Sequence, residues 1–416
     1  MKQHDKYKLS NIRWINQIPN EWKEVRNKGL FKVVKKIVGK SVDDFKVLSL
    51  TLNGVIYRDL ENKVGKMPKD FEGYQIVEPE NIVLCLFDMD VTPRIVGYSN
   101  KQGLVSSAYT VIKAKDKTVN PQYYYYWFLA MDNNKALLAE TKGLRNTMKD
   151  SDFMSLISAF PSIEEQGVIV DTLHIKLQEI GDFIKQKQKS IELLKQYKQS
   201  KINELVTKGL NPNVKMKDSG TKWLGKVPEH WRILKLKKLV KLNSSTSKNL
   251  NNKVALENIE SWTGRFIQGE GNPFEADGVQ FENGDVLFCK LRPYLAKVFL
   301  PTEDGVCVNE LLVLKPNTNL VSKEFIYTRL LTYDFIQLVN SSTYGAKMPR
   351  ASWDFIGEIE IPFPTDFEEQ NAIFNMTNQI NTGINQLIDK ALNQIELIQQ
   401  YRQSLIYELV TGKRKP

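Results

Sequence analysis

Residues 191–207, IELLKQYKQSKINELVT, and residues 395–411, IELIQQYRQSLIYELVT, write nearly the same helix twice in one chain. A shift of 204 positions superimposes twelve identities between them and also carries Glu165 and Gln166 onto Glu369 and Gln370. Small slips extend the match. At a shift of 202, Gly143 meets Gly345, and Asp152 and Phe153 meet Asp354 and Phe355; at 209, WINQIPNEW from Trp14 meets WLGKVPEHW from Trp223. The chain is therefore a tandem duplication with a period just over 200 residues. Solenoid units run to roughly 20–50 residues, so each copy here must be a complete domain followed by a helix.

The composition has room for that arrangement. With 416 residues and 42% hydrophobic content, the chain can bury two cores of roughly 100–200 residues each. Each copy opens on a tryptophan–proline–tryptophan spacing, Trp14, Pro19 and Trp22 or Trp223, Pro228 and Trp231, whose repetition favours a structural clasp over base stacking. A basic amphipathic stretch follows, then short β-type runs broken by Gly, Asn, Asp and Pro, such as ENIVLCLFD, GLVSSAYTVIKA, GDVLFCKL and GVCVNELLVLKP. A shorter helical segment comes next, PQYYYYWFLAMD or KEFIYTRLLTYD, in which Tyr125 aligns with Tyr327 within one apolar pattern. The tyrosine run is expected to pack a core.

After FPSIEEQ and FPTDFEEQ each copy continues without proline for about 40 residues. Leu173, Leu177, Ile180, Ile184, Ile191, Leu194 and Leu205 fall on the a and d positions of a heptad in the first copy. Ile384, Ile388, Ile395, Ile398, Leu405 and Leu409 do so in the second. An apolar seam of period 3.5 wants a partner helix, and the obvious one is its duplicate. If the halves are related by a pseudo-twofold axis perpendicular to the helices, the pairing is antiparallel. The predicted fold class is α+β: two globular mixed α/β domains held apart by two long helices that form an antiparallel coiled coil. The expected segments are a first domain at 1–163, its helix at 164–208, a linker at 209–220, a second domain at 221–367 and its helix at 368–412.

Several function classes recede. A net charge of +10 asks for an acidic partner, most often nucleic acid, whose bound counterions are released on binding. Cys85, Cys289 and Cys307 sit singly in apolar runs, as buried thiols of a reducing compartment do. No apolar signal core and no 18-residue apolar run occur, so a cytoplasmic protein without a membrane segment is expected. The three histidines, His4, His174 and His230, are scattered, and no cluster has metal-ligand spacing. VGKS at residues 38–41 lacks the earlier glycine of a phosphate loop, with Val34 in its place. No glycine-rich cofactor loop follows a strand. We expect no catalytic residue, no metal and no cofactor in the chain.

These features together are similar to one family. A Trp-(Ile/Leu)-x-x-(Ile/Val)-Pro-x-x-Trp opening, a Gly…Asp-Phe…Pro…Glu-Gln exit and a long helix ending in ELVT, all present twice, resemble the specificity subunit of type I restriction-modification systems. The resemblance spans essentially the whole chain. It implies two target recognition domains on two conserved spacer helices, and a non-catalytic reader of a bipartite, asymmetric DNA target with an unread gap. It also implies partners: double-stranded DNA, two modification (methyltransferase) subunits that methylate adenine, and restriction and translocase subunits. S-adenosylmethionine, ATP and Mg would then belong to those partners. One departure is local, since FPSIEEQ is a residue shorter and less proline-rich than IPFPTDFEEQ. A self-sufficient DNA-modifying enzyme and a coiled-coil scaffold without sequence-specific binding are the alternatives.

The candidate DNA contacts are basic, amide or aromatic residues in turns: Arg94, Arg145, Asn146 and Lys149 in the first copy, and Lys290, Arg292, Tyr294, Lys347 and Arg350 in the second. Arginine and asparagine can read guanine or adenine edges bidentately, whereas lysine more often holds phosphate.

Overall fold

The structure is a computed structural model that describes all residues except 1–2, 53, 60–69, 142–145, 248–251, 270–276 and 346. The chain divides into two compact units, residues 1–187 with 393–416, and residues 188–392. Each unit thus contains one globular domain, the beginning of the helix that follows it and the end of the other long helix.

In the first unit a four-stranded antiparallel sheet runs in the order Phe31–Val34, Thr110–Ala114, Ile82–Leu84, Val96–Tyr98. The run GLVSSAYTVIKA is two strands, Gly103–Val105 and Thr110–Ala114, parted by a turn that its Ser and Ala residues permit. The helix Pro121–Asn133 packs on this sheet. It starts where Asn120 accepts hydrogen bonds from the amides of Gln122 (2.9 Å) and Tyr123 (3.3 Å), with proline at the first helical position. Tyr123, Tyr124, Tyr126, Trp127 and Phe128 are buried. The tyrosine run is core, as its pattern indicates.

The second unit repeats the plan, with sheet order Val240–Asn243, Leu311–Pro316, Val286–Cys289, Val298–Phe299. A further four-stranded sheet contains the parallel pair Lys253–Val254 and Gly305–Cys307. Where the first unit has one helix of 13 residues, the second has two, Lys323–Leu330 and Tyr333–Ser341. The break at Thr332 is organised by Arg329, which is fully buried and donates to Asp334 Oδ1 (2.8 Å) and Oδ2 (3.2 Å). Its guanidinium also lies 5.1 Å from the centre of the Trp223 ring. Burial alone would raise the Asp334 carboxyl, but the Arg329 charge and hydrogen bonds bring it below its ordinary value.

The long helices are Ile163–Lys208 and Phe367–Val410. Leu173, Ile180, Ile191, Ile384, Ile388, Ile395, Leu405 and Leu409 are buried, and Leu177, Ile184, Leu194, Leu205 and Ile398 are half-buried. Ile175, Phe183, Leu193 and Tyr197 between them are exposed. In the first unit Leu173, Leu177, Ile180 and Ile184 share one core with Ile398, Leu405 and Leu409. In the second unit a Cβ on Gly209 would lie 3.1 Å from Glu369 Oε1, and Lys198 Nζ donates to Asn385 Oδ1 at 3.0 Å. Descending one helix while ascending the other makes that pairing antiparallel.

Each domain is fastened to its helix by the same bonds. Trp22 donates to Glu165 Oε2 at 2.9 Å, and Trp231 to Glu369 Oε1 at 3.0 Å. Gln166 and Gln370, both fully buried, each satisfy three backbone groups. Gln166 accepts from the Asn120 amide and donates to the carbonyls of Thr118 and Pro161. Gln370 accepts from the Ser322 amide and donates to those of Leu320 and Pro364. The duplicated Glu-Gln pair therefore carries the junction, even at the shorter first exit.

Candidate nucleic-acid interface

In the second unit the segment CKLRPY and residues 347–350 of GAKMPR form one surface. The amide of Arg292 donates to the Pro349 carbonyl at 2.7 Å, and the Ala351 amide to the Lys290 carbonyl at 2.9 Å. Leu291 and Tyr344 each form a bridge with Arg350. Arg292 is held at φ 49° and ψ 61°, a conformation non-glycine residues seldom adopt, immediately before the turn Pro293–Leu295. Its side chain is exposed, as are those of Tyr294, Lys347, Met348 and Tyr344, the last at 69%. Arg350 is different. Its guanidinium grips Glu310 through bonds of 2.7 Å and 3.2 Å, which hold it protonated more firmly than an ordinary arginine. Lys290 is half-buried.

The first unit builds the corresponding surface by the same connections. The Met148 amide donates to the Leu86 carbonyl at 2.8 Å, and the Met89 amide to that of Asn146 at 3.4 Å. Asp88 takes φ 46° where Arg292 takes φ 49° at the position 204 residues later. The two loops are alike in backbone and unlike in side chain. Asn146 also has a positive φ, 40°, and accepts from Thr141 Oγ1 at 3.0 Å, while Lys149 is exposed just before the helix Asp150–Ser155. Arg145 lies outside the described residues. Arg94 points elsewhere: Nη1 donates to Asp132 Oδ2 at 3.0 Å and Asn133 Oδ1 at 2.9 Å. Asp132 is buried and also takes the Ile95 amide at 3.1 Å, so Arg94 serves the packing of its own domain.

Tyr344, Met348 and Glu310 join this surface beyond the candidates that the sequence offers. Glu310 has a signal there, as the one acidic residue of GVCVNELLVLKP. Among the described residues, no helix is long and apolar enough to cross a membrane.

A family model, Type I restriction modification DNA specificity domain, matches residues 228–397. The Type I restriction enzyme MjaVIII specificity subunit of Methanocaldococcus jannaschii is 24% identical over 98% of this chain and 96% of its own length. The EcoDI specificity subunit of Escherichia coli is 23% identical over 70% of this chain and 69% of its own. The chain is similar to type I restriction-modification specificity subunits over nearly its whole length, and its second half carries the match to the family model. Specificity subunits of this family are non-catalytic. The fold of this chain is shared with a solved chain described under complex assembly and conformational transition of the type I R-M system. That match has a TM-score of 0.68 and 12% identity, and covers 95% of this chain and 99% of the other. The HsdS subunit from Thermoanaerobacter tengcongensis aligns with a TM-score of 0.55 and 13% identity over 95% and 98% of the two chains.

Proposed function

We propose that this chain is a type I restriction-modification specificity subunit that reads a bipartite, asymmetric DNA target, one half-site per unit, and directs adenine methylation and restriction by partner subunits. The observation that carries the reading is the pair of equivalent loops at residues 85–94 with 146–149 and 289–294 with 347–350. A conserved backbone bearing different side chains suits two readers with a common mode of docking and different target bases. Base edges specify and phosphates position, so the exposed Arg292 and the half-buried Asn146 are the proposed base readers. Lys149 and Lys347 are the proposed phosphate contacts, and Tyr294 lines the same face. Arg350 orders its loop through Glu310. The domains are the proposed recognition elements at 1–163 and 221–367, and the helices the proposed spacer. Methylation subunits would dock on that spacer and supply S-adenosylmethionine chemistry; restriction and translocase subunits would use ATP and Mg.

The test incubates the purified chain alone, and then with two modification subunits, on DNA with a labelled methyl donor, followed by methylation mapping. Methylation of two fixed half-sites only in the complex supports the proposal. Methylation by the chain alone would establish a self-sufficient enzyme, and sequence-independent behaviour in both states a scaffold.

A further inference from the structure

Within the second unit, a cavity of about 570 Å³ lies between the globular domain and the helix pair, within the size range of small-molecule sites. One wall is aromatic. Trp262 and Tyr333 stack with centroids 6.0 Å apart and planes inclined by 26°, and Tyr333 keeps 46% of its surface exposed. Trp262 stands at φ 64°, a left-handed conformation that costs a bulky residue free energy and is retained where the surroundings demand it. The opposite wall is polar, with Asn378, Asn381 and Asn385 from one helix and Lys195 and Lys198 from the other. Lys198 is half-buried beside Lys195; burial first, and then that neighbouring charge, disfavours its protonated form. An anion between the two would relieve both effects.

Two observations separate this cavity from ordinary imperfect packing. Thr377 lines it and is 4% exposed, and its Oγ1 has no hydrogen-bond partner among the described residues. A buried hydroxyl left so costs free energy. The internal duplicate supplies the other. The positions of Thr377 and Asn381 are held by Leu173 and Leu177 in the first copy, where both pack in the core. The second copy has therefore exchanged two apolar seam residues for polar ones that face a space.

We propose that this cavity is a binding site for a free nucleotide, with its base against Trp262 and Tyr333 and its phosphate between Lys195 and Lys198. The asparagine amides offer both donors and acceptors to a base edge, and Thr377 Oγ1 gains the partner it lacks. The space holds one nucleotide and not a duplex. Occupancy would tie the globular domain to the helix pair within the unit.

The experiment is equilibrium dialysis of the full chain against AMP, GMP, CMP and UMP, with adenosine and inorganic phosphate as part-ligands. At least one nucleotide should saturate a single site with Kd below about 1 mM, and its nucleoside and phosphate alone should each bind about tenfold or more weakly. Thr377→Leu with Asn381→Leu installs the side chains the first copy already packs, and should abolish binding. Lys198→Gln removes the charge at a partly exposed position and should weaken binding about tenfold. It remains informative if the double variant fails to fold. Failure of all four nucleotides to saturate overturns the proposal. So does phosphate binding as well as a nucleotide, or affinity unchanged in Lys198→Gln.

Discussion

Arg350 and Glu310 form a two-point ion pair, with Nη2 2.7 Å from Oε1 and Nε 3.2 Å from Oε2, beside an Arg292 that is exposed on the same surface. The two arginines should therefore respond differently to replacement. Arg292→Ala should relax one position of one half-site at a cost of roughly 1–3 kcal/mol if it reads a base edge, with little change in thermal stability. Arg350→Ala should disorder the loop and weaken binding to specific and mutated sites alike. Binding measured on single-base target variants, together with thermal unfolding, separates the outcomes. Equal losses on every sequence for Arg292→Ala would make it a phosphate contact.

The junction glutamines give a stability prediction. Gln370→Ala strands the Ser322 amide and the carbonyls of Leu320 and Pro364, and leaving even one buried group unsatisfied costs about 1–3 kcal/mol. Gln166→Ala should cost a similar amount, because its three partners occupy equivalent places. Chemical denaturation checks both, and a loss under about 0.5 kcal/mol for either would show that water replaces the side chain freely.

Arg329 is enclosed without exposed surface and depends on Asp334. Breaking a buried pair by removing one partner costs about 3–5 kcal/mol, so Asp334→Asn should destabilise the chain strongly. The pH dependence follows from the direction of the shift. The folded carboxyl titrates below its ordinary 3.8, so the pair's contribution is complete above that value and is lost as pH falls through the depressed one. Wild-type stability should decline on acidification below about pH 4, and Asp334→Asn should lack that part of the decline. Superimposable acid profiles would contradict the assignment.

Much of this architecture is legible in the sequence, because periodicity and repetition survive any context. The seam at Leu173, Ile180, Ile191 and Leu405 repeats every 3.5 residues and is buried, while Ile169, Val206, Ile373, Ile406 and Val410, off that series, are buried at the helix ends against the globular domains. The equal spacing of Trp22 and Trp231 marks a clasp, and the repeated Glu165 and Glu369 are its acceptors. What escapes the sequence is pairing over distance. Nothing local in DVTPR says that Arg94 will be captured by Asp132, an acid in an otherwise apolar helix 38 residues away. Nor does GAKMPR reveal that its last arginine belongs to Glu310. The polar cavity is equally hidden, since Thr377 reads as a tolerable seam residue until its hydroxyl is seen to lack a partner.

The last prediction concerns exchange of a recognition domain. Replacing residues 15–160 with the corresponding part of another specificity subunit should change one half-site and leave the other intact, if each unit reads alone. The structure adds a condition. Glu165 stays behind in such an exchange, while Trp22, which donates to it at 2.9 Å, is replaced. An incoming domain with an indole at the Trp22 position restores the bond; one without it leaves the Glu165 carboxylate short of a donor, at a cost of about 1.5–3 kcal/mol for a hydrogen bond to a charged group. Gly412 sets a second limit, because a Cβ there would lie 3.1 Å from Trp22 Cη2 and closer still to Pro19. The incoming proline and tryptophan must therefore present the same surface to the chain end. Chimeras that keep Pro19 and Trp22 should fold and methylate a hybrid target, and those that lack Trp22 should be recovered by restoring it. Methylation mapping of both sets decides the point, and a chimera that alters both half-sites at once would contradict independent reading by the two units.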